Sequence, residues 1–231
     1  MKPLGLLGGM SWESTAVYYR LLNEGARARL GGLHSAPLLL HSFDFAAIAR
    51  LQAAGATVEL AELMTAAARG LERAGAAGVM ICANTMHSLA PQIEAAIGIP
   101  LIHVVDVTAR AIEAAGCRRP ALLATRYTME QGFYRQRLAQ GGLLSPAIPD
   151  ARGRLAISDI IFEELCRGII RPQSRATCLH EVERMRPQAI DSVILGCTEL
   201  TLLLSQGDFA LPVFDTTQLH VAAGLDFAFS G

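Results

Sequence analysis

A short segment of this chain occurs twice in nearly the same form. Residues 78–87 read GVMICANTMH, and residues 191–200 read DSVILGCTEL. Each is an apolar run that stops at a small residue followed by polar ones, as is typical of a buried parallel strand that delivers side chains to a crevice at its carboxyl end. The alignment pairs Ala83 with Cys197, at 197 − 83 = 114 residues. The repeat therefore predicts two equivalent strand-to-helix corners that present groups to a shared ligand, a methyl group from one corner and a thiol from the other.

Two further pairs of segments recur in the same order. Residues 6–11 (LLGGMS) resemble residues 122–128 (LLATRYT) at an offset of 122 − 6 = 116, and Asp106 pairs with Asp215 at 215 − 106 = 109. Doubly wound proteins commonly contain such segments, but three pairs at nearly one spacing favour two similar halves. We therefore predict an α/β fold of two pseudo-symmetric, doubly wound parallel-sheet domains with helices on both faces of each sheet.

Helical patterns alternate with these strands. The expected helices cover residues 14–28, 57–74, 107–115, 130–140, 158–168 and 174–185. Residues 141–150 (GGLLSPAIPD) are expected to form a loop or an irregular strand. The first domain is predicted to comprise residues 1–100 together with 211–231, and the second residues 101–210.

Composition limits the partners of the chain. A length of 231 residues with 52% hydrophobic content suffices for two cores, and the net charge of −1 gives no basic footprint for nucleic acid. No apolar run approaches the roughly 18 residues that span a bilayer, so no membrane partner is expected. An odd number of cysteines without zinc-type clustering is typical of reduced thiols, which predicts a cytoplasmic protein. The cysteines are Cys82, Cys117, Cys166, Cys178 and Cys197.

The single lysine of the chain, Lys2, excludes several kinds of cofactor site. A pyridoxal-phosphate enzyme needs a positioned lysine for its Schiff base, and a P-loop needs one on the phosphates. The glycines Gly5, Gly8 and Gly9 do not have the G-x-G-x-x-G spacing of a dinucleotide site. We therefore expect no cofactor and no metal, and any reaction must be carried out by ordinary side chains.

Four motifs together resemble one known family. They are residues 5–15 (GLLGGMSWEST), 84–87 (NTMH), 124–131 (ATRYTMEQ) and 196–199 (GCTE). In this order they are similar to the aspartate/glutamate racemase family, and most similar to its bacterial members that act on glutamate, aspartate or a broader range of amino acids. The resemblance extends nearly from end to end. It implies an isomerase that is independent of pyridoxal phosphate, with two α/β domains, an active site between them, and a homodimeric assembly.

The resemblance also implies the reaction chemistry. Family members place two opposed groups on the two faces of the substrate α-carbon, so that one takes the proton and the other returns one. Cys197 matches the second of these groups, and its location near helix amides is expected to favour the thiolate. Ala83 occupies the position of the first group and can neither take nor give a proton. The neighbouring Cys82 could replace it through a local bulge, but strand alternation favours a buried side chain there.

The remaining candidate residues follow the same corners. The resemblance implies that Asn84, Thr85 and Thr198 hold the substrate carboxylate, although helix capping would also account for Asn84 and Thr85. Glu199 could pair with the ligand ammonium, orient a helper group, or simply complement a helix dipole. His87 and His103 could relay protons or be structural. The residues expected to complete the pocket are Met10, Ser11, Thr125 and Thr128.

Substrate choice and activity have alternatives at this point. Aspartate-specific relatives carry an arginine on the loop after the second strand, and Arg50 in residues 42–52 cannot be assigned to that position. The sequence therefore favours a glutamate-capable or broad enzyme over a strict aspartate enzyme. Three functions are open: a racemase that is slow or inactive because of Ala83, a one-thiol enzyme that protonates a planar intermediate from one face as arylmalonate decarboxylases do, and a non-catalytic amino-acid binder. The retained Cys197 favours the first.

Overall fold

The computed structural model describes residues 1–140, 142 and 144–230. It divides into two compact units, of which the first comprises Met1–His103 and the residues from His220 onward, and the second Val104–Leu219. Residues 101–103 lie in the first unit rather than in the second domain, where the sequence predicts them. Residues 211–219 lie in the second unit rather than in the first domain, where the sequence predicts them. The reason is that the strand Val213–Asp215 hydrogen-bonds to a strand of the second sheet.

The first unit contains a four-stranded parallel sheet. Its strands are β1 (Leu4–Gly8), β2 (Leu38–Ser42), β3 (Gly78–Ile81) and β4 (Leu101–Ile102), in the order β2-β1-β3-β4. Its helices are α1 (Trp12–Leu30), α2 (Phe45–Ala53), α3 (Thr57–Arg73), the 3₁₀ helix Thr85–Leu89 and α4 (Ala90–Ala96). Strands β1 and β3 are buried throughout, as expected for parallel strands covered on both faces.

Strand alternation divides the first core into two layers. Leu7 and Ile81 point to one side of the sheet, where they pack against the apolar face of α3. Leu6 and Met80 point to the other side, where they pack against Tyr18 of α1. The side chains that α3 buries are spaced for one helical face. They are Leu60, Met64, Ala67, Ala68 and Leu71.

The second unit contains a shorter parallel sheet. Its strands are β5 (Pro120–Leu123), β6 (Ser192–Leu195) and β7 (Val213–Asp215), in the order β5-β6-β7. Its α-helices are α5 (Val104–Ala114), α6 (Arg126–Glu130), α7 (Gly132–Leu138), α8 (Ala151–Asp159) and α9 (Pro172–Met185), and a last helix, α10 (Thr216–Phe229), begins here and continues into the first unit. Ala147 forms a single parallel bridge with Ala121 beside β5. The rest of the predicted 141–150 loop is irregular where it is described, and residues 141 and 143 lie outside the described residues.

Equivalent hydrogen bonds in the two sheets confirm the main spacing of the sequence repeat. Cys82 N donates to Leu7 O over 2.9 Å, and Gly196 N donates to Leu123 O over 2.7 Å. The residues that follow these donors, Ala83 and Cys197, are therefore equivalent in register.

The third predicted pair is wrong by three residues. Val79 N donates to Pro100 O and Val193 N to Pro212 O, each over 2.9 Å. These bonds place Pro212 at 212 − 100 = 112 residues from its equivalent, so the equivalent of Asp215 is His103 rather than Asp106. Asp106 instead lies in α5, where Arg137 holds it with two hydrogen bonds of 2.6 and 2.7 Å.

The predicted helices agree with the structure to different degrees. Helices α1, α3 and α9 are present close to their expected bounds. The helix expected over 130–140 is instead two short helices, α6 and α7, which meet at the extended residue Gln131. The helix expected over 158–168 begins at Ala151, because Asp150 accepts a capping bond from Gly153 N, and it changes to a π-helical turn at Ile160–Glu164. In the part of the chain that is described, no helix is both long and apolar enough to cross a bilayer.

Candidate active site

In the first unit, the corner after β1 is held together by serine and threonine side chains. Ser11 is the N-cap of α1, and its hydroxyl accepts a hydrogen bond of 3.2 Å from Ser14 N. The hydroxyl of Thr15 accepts a bond of 2.8 Å from Gly9 N. A Cβ at Gly8 would lie 2.5 Å from Thr15 Cγ2, so the absence of a side chain there allows α1 to approach the end of β1. This close approach places Met10 and Ser11, both buried, beside the end of the neighbouring strand β3.

The corner after β3 contains Ala83 and the residues that follow it. Once the sheet hydrogen bonds end, side chains hold two successive carbonyl groups. Ser14 Oγ donates to the carbonyl of Cys82 over 3.0 Å, and His87 Nδ1 bonds the carbonyl of Ala83 over 2.9 Å. Asn84 is buried and Thr85 half-buried. The Asn84 side chain makes no capping bond to the 3₁₀ helix that follows it, so capping does not account for this residue.

Cys82 points away from its neighbour at position 83. Its thiol is fully buried with Tyr18 and Leu22, whereas Ala83 contacts the apolar cluster on the opposite side of the sheet. This confirms the expected strand alternation. Burial raises the pKa of the Cys82 thiol far above its ordinary range, because no nearby charge compensates the loss of solvation of a thiolate.

In the second unit, the corner after β5 is capped by threonine. Thr125 is the N-cap of α6, and its hydroxyl lies 3.2 Å from the hydroxyl of Thr128. Ser158 of α8 adds a hydrogen bond, in which its Oγ accepts from Arg126 N over 3.2 Å. The sequence did not predict this bond. Thr125, Thr128 and Ser158 are all buried. The three hydroxyls form a polar cluster at the carboxyl end of β5, next to that of β6.

The corner after β6 contains a thiol–carboxylate pair. Cys197 Sγ donates a hydrogen bond to Glu199 Oε2 over 2.9 Å, and both side chains are buried. Burial, followed by the charge of Glu199 and the hydrogen bond to it, raises the pKa of the Cys197 thiol well above its ordinary value. This direction is opposite to the expectation that helix amides favour the thiolate: burial and the neighbouring carboxylate favour the thiol form of Cys197.

The end of β7 brings further residues to the same corner. The Asp215 carboxylate accepts bonds from Thr217 N and Gln218 N over 2.9 and 3.1 Å, which begins α10. The Thr217 hydroxyl donates a hydrogen bond of 3.4 Å to the hydroxyl of Thr198, the residue that follows Cys197. Asp215 was paired with Asp106 from the sequence, but Thr217 was not predicted as a site residue. The DTT triplet directly after a short apolar run was the available signal.

The remaining candidates, His87, His103 and Arg50, lie in the first unit. His87 and His103 are buried and have their rings 4.6 Å apart. Arg50 lies in the last turn of α2 and is exposed. Within the described residues, no group of three or more histidine, cysteine, aspartate or glutamate side chains has an arrangement that could bind a metal ion.

Each unit has a parallel sheet, and polar side chains gather where its strands end. These features define a class of α/β protein with its functional groups at strand-to-helix corners. The chain belongs to the Asp/Glu/hydantoin racemase family, whose sequence profile it matches over residues 7–224. Membership of this family makes it an isomerase of the amino-acid racemase type. The family assigned from the four sequence motifs is thus confirmed.

Solved structures support the same assignment. A protein from Yersinia pestis assigned as an Asp/Glu racemase is 48% identical, with all of both chains covered and a TM-score of 0.93. An aspartate racemase homologue from Pyrococcus horikoshii OT3 is 31% identical, also with all of both chains covered, and has a TM-score of 0.86. Glutamate racemase from Francisella tularensis, solved with D-glutamate, shares the fold at 15% identity and a TM-score of 0.70, covering 99% of this chain and 81% of the other.

Proposed function

We propose that this protein moves the α-proton of glutamate, aspartate or a broader range of amino acids through Cys197, without a cofactor. The observation that carries the proposal is the 2.9 Å hydrogen bond from the Cys197 thiol to the Glu199 carboxylate. A buried thiol with its own proton acceptor can change between donor and acceptor of a proton. The assigned Asp/Glu racemase that is 48% identical supports acidic substrates.

The proposed step conserves every proton. The Cys197 thiol first passes its proton to the Glu199 carboxylate, and the resulting thiolate takes the α-proton of the substrate to give a planar carbanion and a new thiol. Return of a proton from Cys197 regenerates an amino acid of the starting configuration, because the same face is protonated, and Glu199 then passes its proton back to the Cys197 thiolate. The α-proton is replaced when a solvent proton enters the Cys197–Glu199 pair before that return. Inversion requires a proton from the opposite face, where Ala83 offers only a methyl group.

Cys82 is a poor replacement for the missing group. It is buried on the other side of the sheet from Ala83, and burial raises its pKa. Cys197 differs because it has a hydrogen-bonded carboxylate that can take its proton. A deprotonated thiol is the species that accepts a substrate proton. We therefore propose that racemisation by the chain is slow compared with proton exchange.

The proposed substrate contacts lie at the strand-to-helix corners. In this scheme Asn84, Thr85 and Thr198 hold the α-carboxylate, supported by the burial of Asn84 and by the bond that links Thr198 to Thr217. Further proposed pocket residues are Met10, Ser11, Thr125 and Thr128. The five free cysteines support a reducing compartment, which in this proposal is the cytoplasm.

The test is proton exchange in deuterated water, followed by ¹H NMR on L- and D-glutamate and on L- and D-aspartate. We expect the wild-type protein to replace the α-proton of at least one of these amino acids and Cys197→Ala to show no exchange. Ser205→Ala, a change in an exposed 3₁₀ cap of the same unit, is the matched control and should exchange like wild type. Equal exchange by wild type and Cys197→Ala would overturn the proposal.

A second function is favoured by the hydrogen bond from the Cys197 thiol to Glu199 and by the raised pKa of that thiol. A thiol that keeps its proton is suited to protonate a planar enediolate from one face, the last step of a one-thiol decarboxylation. Release of carbon dioxide from an α-substituted malonate by wild type, but not by Cys197→Ala, would support this function. Exchange of amino-acid α-protons without such decarboxylation supports the first.

A further inference from the structure

Three histidines and a tyrosine form a buried cluster directly behind position 83. Tyr18, His87, His103 and His220 are each at most 4% exposed. The ring centroid of His87 lies 4.6 Å from that of His103 and 5.6 Å from that of His220. The ring of Tyr18 meets that of His220 edge-on, with the centroids 5.6 Å apart. The chain has six histidines in all, so half of them occupy this one site. Buried polar rings are costly unless they are hydrogen-bonded, which makes the bonds of the cluster informative.

The bonds of His220 fix its tautomer. Its Nε2 lies 2.6 Å from the carbonyl of Ile102, which can only accept, so Nε2 carries a proton. Its Nδ1 then accepts from the Tyr18 hydroxyl over 2.9 Å. Burial lowers the pKa of His220 to about 4. His220 is therefore a neutral ring with both nitrogens bonded, and it forms a fixed wall against His87.

His87 connects this cluster to the corner. Its Nδ1 lies 2.9 Å from the carbonyl of Ala83, so Nδ1 donates the proton. A trans peptide bond is planar, and its carbonyl and N–H groups point in opposite directions. Because His87 holds the Ala83 carbonyl towards the cluster, the N–H of Asn84 points away from it. The same bond fixes the backbone torsion that aims whichever side chain occupies position 83.

The second unit lacks this device at its equivalent corner. There the carbonyl of Cys197 accepts from Leu200 N over 3.1 Å, an ordinary 3₁₀ bond. The residue equivalent to His87, at the 114-residue spacing of the repeat, is Thr201, whose hydroxyl bonds Thr198 O instead. An imidazole that holds the backbone is therefore particular to the first corner and is not a general requirement of the fold.

We propose that His87 is a positioning residue, which orients the peptide between residues 83 and 84 through its Nδ1 bond and thereby sets the substrate contact of Asn84. This inference rests on the proposed function, in which Asn84 helps to hold the α-carboxylate. Tyr18 and His220 act one step further away by holding the ring of His87.

Two substitutions of His87 separate positioning from packing. In His87→Asn the amide nitrogen lies as many bonds from the backbone as Nδ1, so the donor to Ala83 is kept. In His87→Gln the amide nitrogen lies as far out as Nε2, so the donor is displaced. We expect His87→Gln to lower the α-proton exchange rate at saturating substrate by about tenfold or more, because small misplacements of reacting groups are costly, and His87→Asn to keep most of it. His34→Gln, an exposed histidine in the same unit, is the control.

A readout independent of activity is the ¹H–¹⁵N resonance of Asn84. It should shift in His87→Gln and stay near its wild-type position in His87→Asn, at matched thermal stability of the two variants. Equal exchange rates or equal Asn84 shifts in the two variants would overturn the positioning role. Absence of exchange in wild type, with the expected pattern of Asn84 shifts, would overturn the proposed function and retain the orientation of the peptide by His87.

Discussion

The thiol of Cys197 donates its hydrogen bond to a carboxylate only two residues away, that of Glu199, over 2.9 Å. Both groups are buried, so the carboxylate raises the pKa of the thiol instead of activating it as a cation would. In the proposed function, Glu199 stores a proton while Cys197 reacts.

The first prediction concerns Glu199→Gln. The amide removes the negative charge, so the pKa of Cys197 should fall towards its ordinary value, while burial still keeps it raised. Proton exchange should nevertheless slow by about 10²- to 10⁴-fold, as for loss of a general base. The α-proton exchange rate and the pH dependence of thiol alkylation measure the two effects. Glu183→Gln, an exposed residue of α9, is the control, and an exchange rate in Glu199→Gln equal to wild type would contradict the role of the carboxylate.

The second prediction concerns the pH dependence of Cys197 reactivity in the native protein. Because its pKa is well above the ordinary value of 9.0, the alkylation rate of Cys197 should keep rising with pH beyond 9 without levelling off. In the urea-unfolded protein the same thiol should level off near pH 9. Iodoacetamide labelling followed by peptide mass spectrometry distinguishes Cys197 from the other cysteines. A plateau below pH 8 in the native protein would show that the thiolate is stabilised instead.

The third prediction is a loss of stability in acid that arises from His220. Its folded-state pKa of about 4 lies below the ordinary 6.5, so the folded state favours the neutral ring. The contribution of His220 to the unfolding free energy is complete above pH 6.5. It is lost as the pH falls towards 4, by about 1.4 kcal/mol per pH unit and about 3 kcal/mol in total. Urea denaturation of wild type and His220→Gln between pH 7 and 4 measures this term. The difference in unfolding free energy between the two should shrink or reverse in acid, and a constant difference would contradict it.

The fourth prediction uses a matched pair of glycines. Gly8→Ala should lower the unfolding free energy by about 1–3 kcal/mol, because the new Cβ would lie 2.5 Å from Thr15 Cγ2 at the close approach of α1 to β1. Gly70→Ala lies inside α3, where the nearest atom is 4.0 Å away, and should raise stability by up to about 1 kcal/mol. Denaturant titration measures both. A Gly8→Ala variant as stable as the wild type would show that the glycine at the end of β1 is not required by packing.

The sequence predicted the corners because a buried parallel strand leaves a local pattern, an apolar run that ends at small and polar residues. It therefore located Ala83 and Cys197 in equivalent register. It did not predict the state of Cys197, since burial and the direction of the Glu199 carboxylate depend on the folded turn. The choice of Asp106 as the partner of Asp215 failed because strand pairing, rather than residue identity, sets the equivalence.

Contacts between residues far apart in the chain could not be predicted from local sequence patterns. The bond of Ser158 to Arg126 joins α8 to α6, and the sequence places the start of α8 too late, at residue 158 instead of Ala151. Tyr18, His87 and His220 come from three separate elements. Each looks like an isolated polar residue in the sequence, and only the fold brings the three together.

The fifth prediction restores the missing group. Ala83→Cys should raise racemisation by about 10²- to 10⁴-fold, because a second acid–base group then serves the opposite face of the carbanion. Ala83→Thr should give a smaller gain, since a hydroxyl is a weaker acid than a thiol. Ala83→Val, which adds bulk without an exchangeable proton, is the control. Chiral chromatography of L-glutamate incubations measures the rates, and an equal gain with valine would attribute the effect to packing.

The most direct test of the account compares exchange with inversion in the unaltered protein. Each enantiomer of glutamate and of aspartate is incubated separately in deuterated water, and loss of the α-proton by NMR is compared with formation of the other enantiomer. We expect one enantiomer of a substrate to exchange its α-proton much faster than it inverts, because Cys197 serves one face and Ala83 cannot serve the other. Rapid and symmetrical interconversion of both enantiomers, with deuterium incorporated at the same rate as inversion, would contradict the single-thiol account.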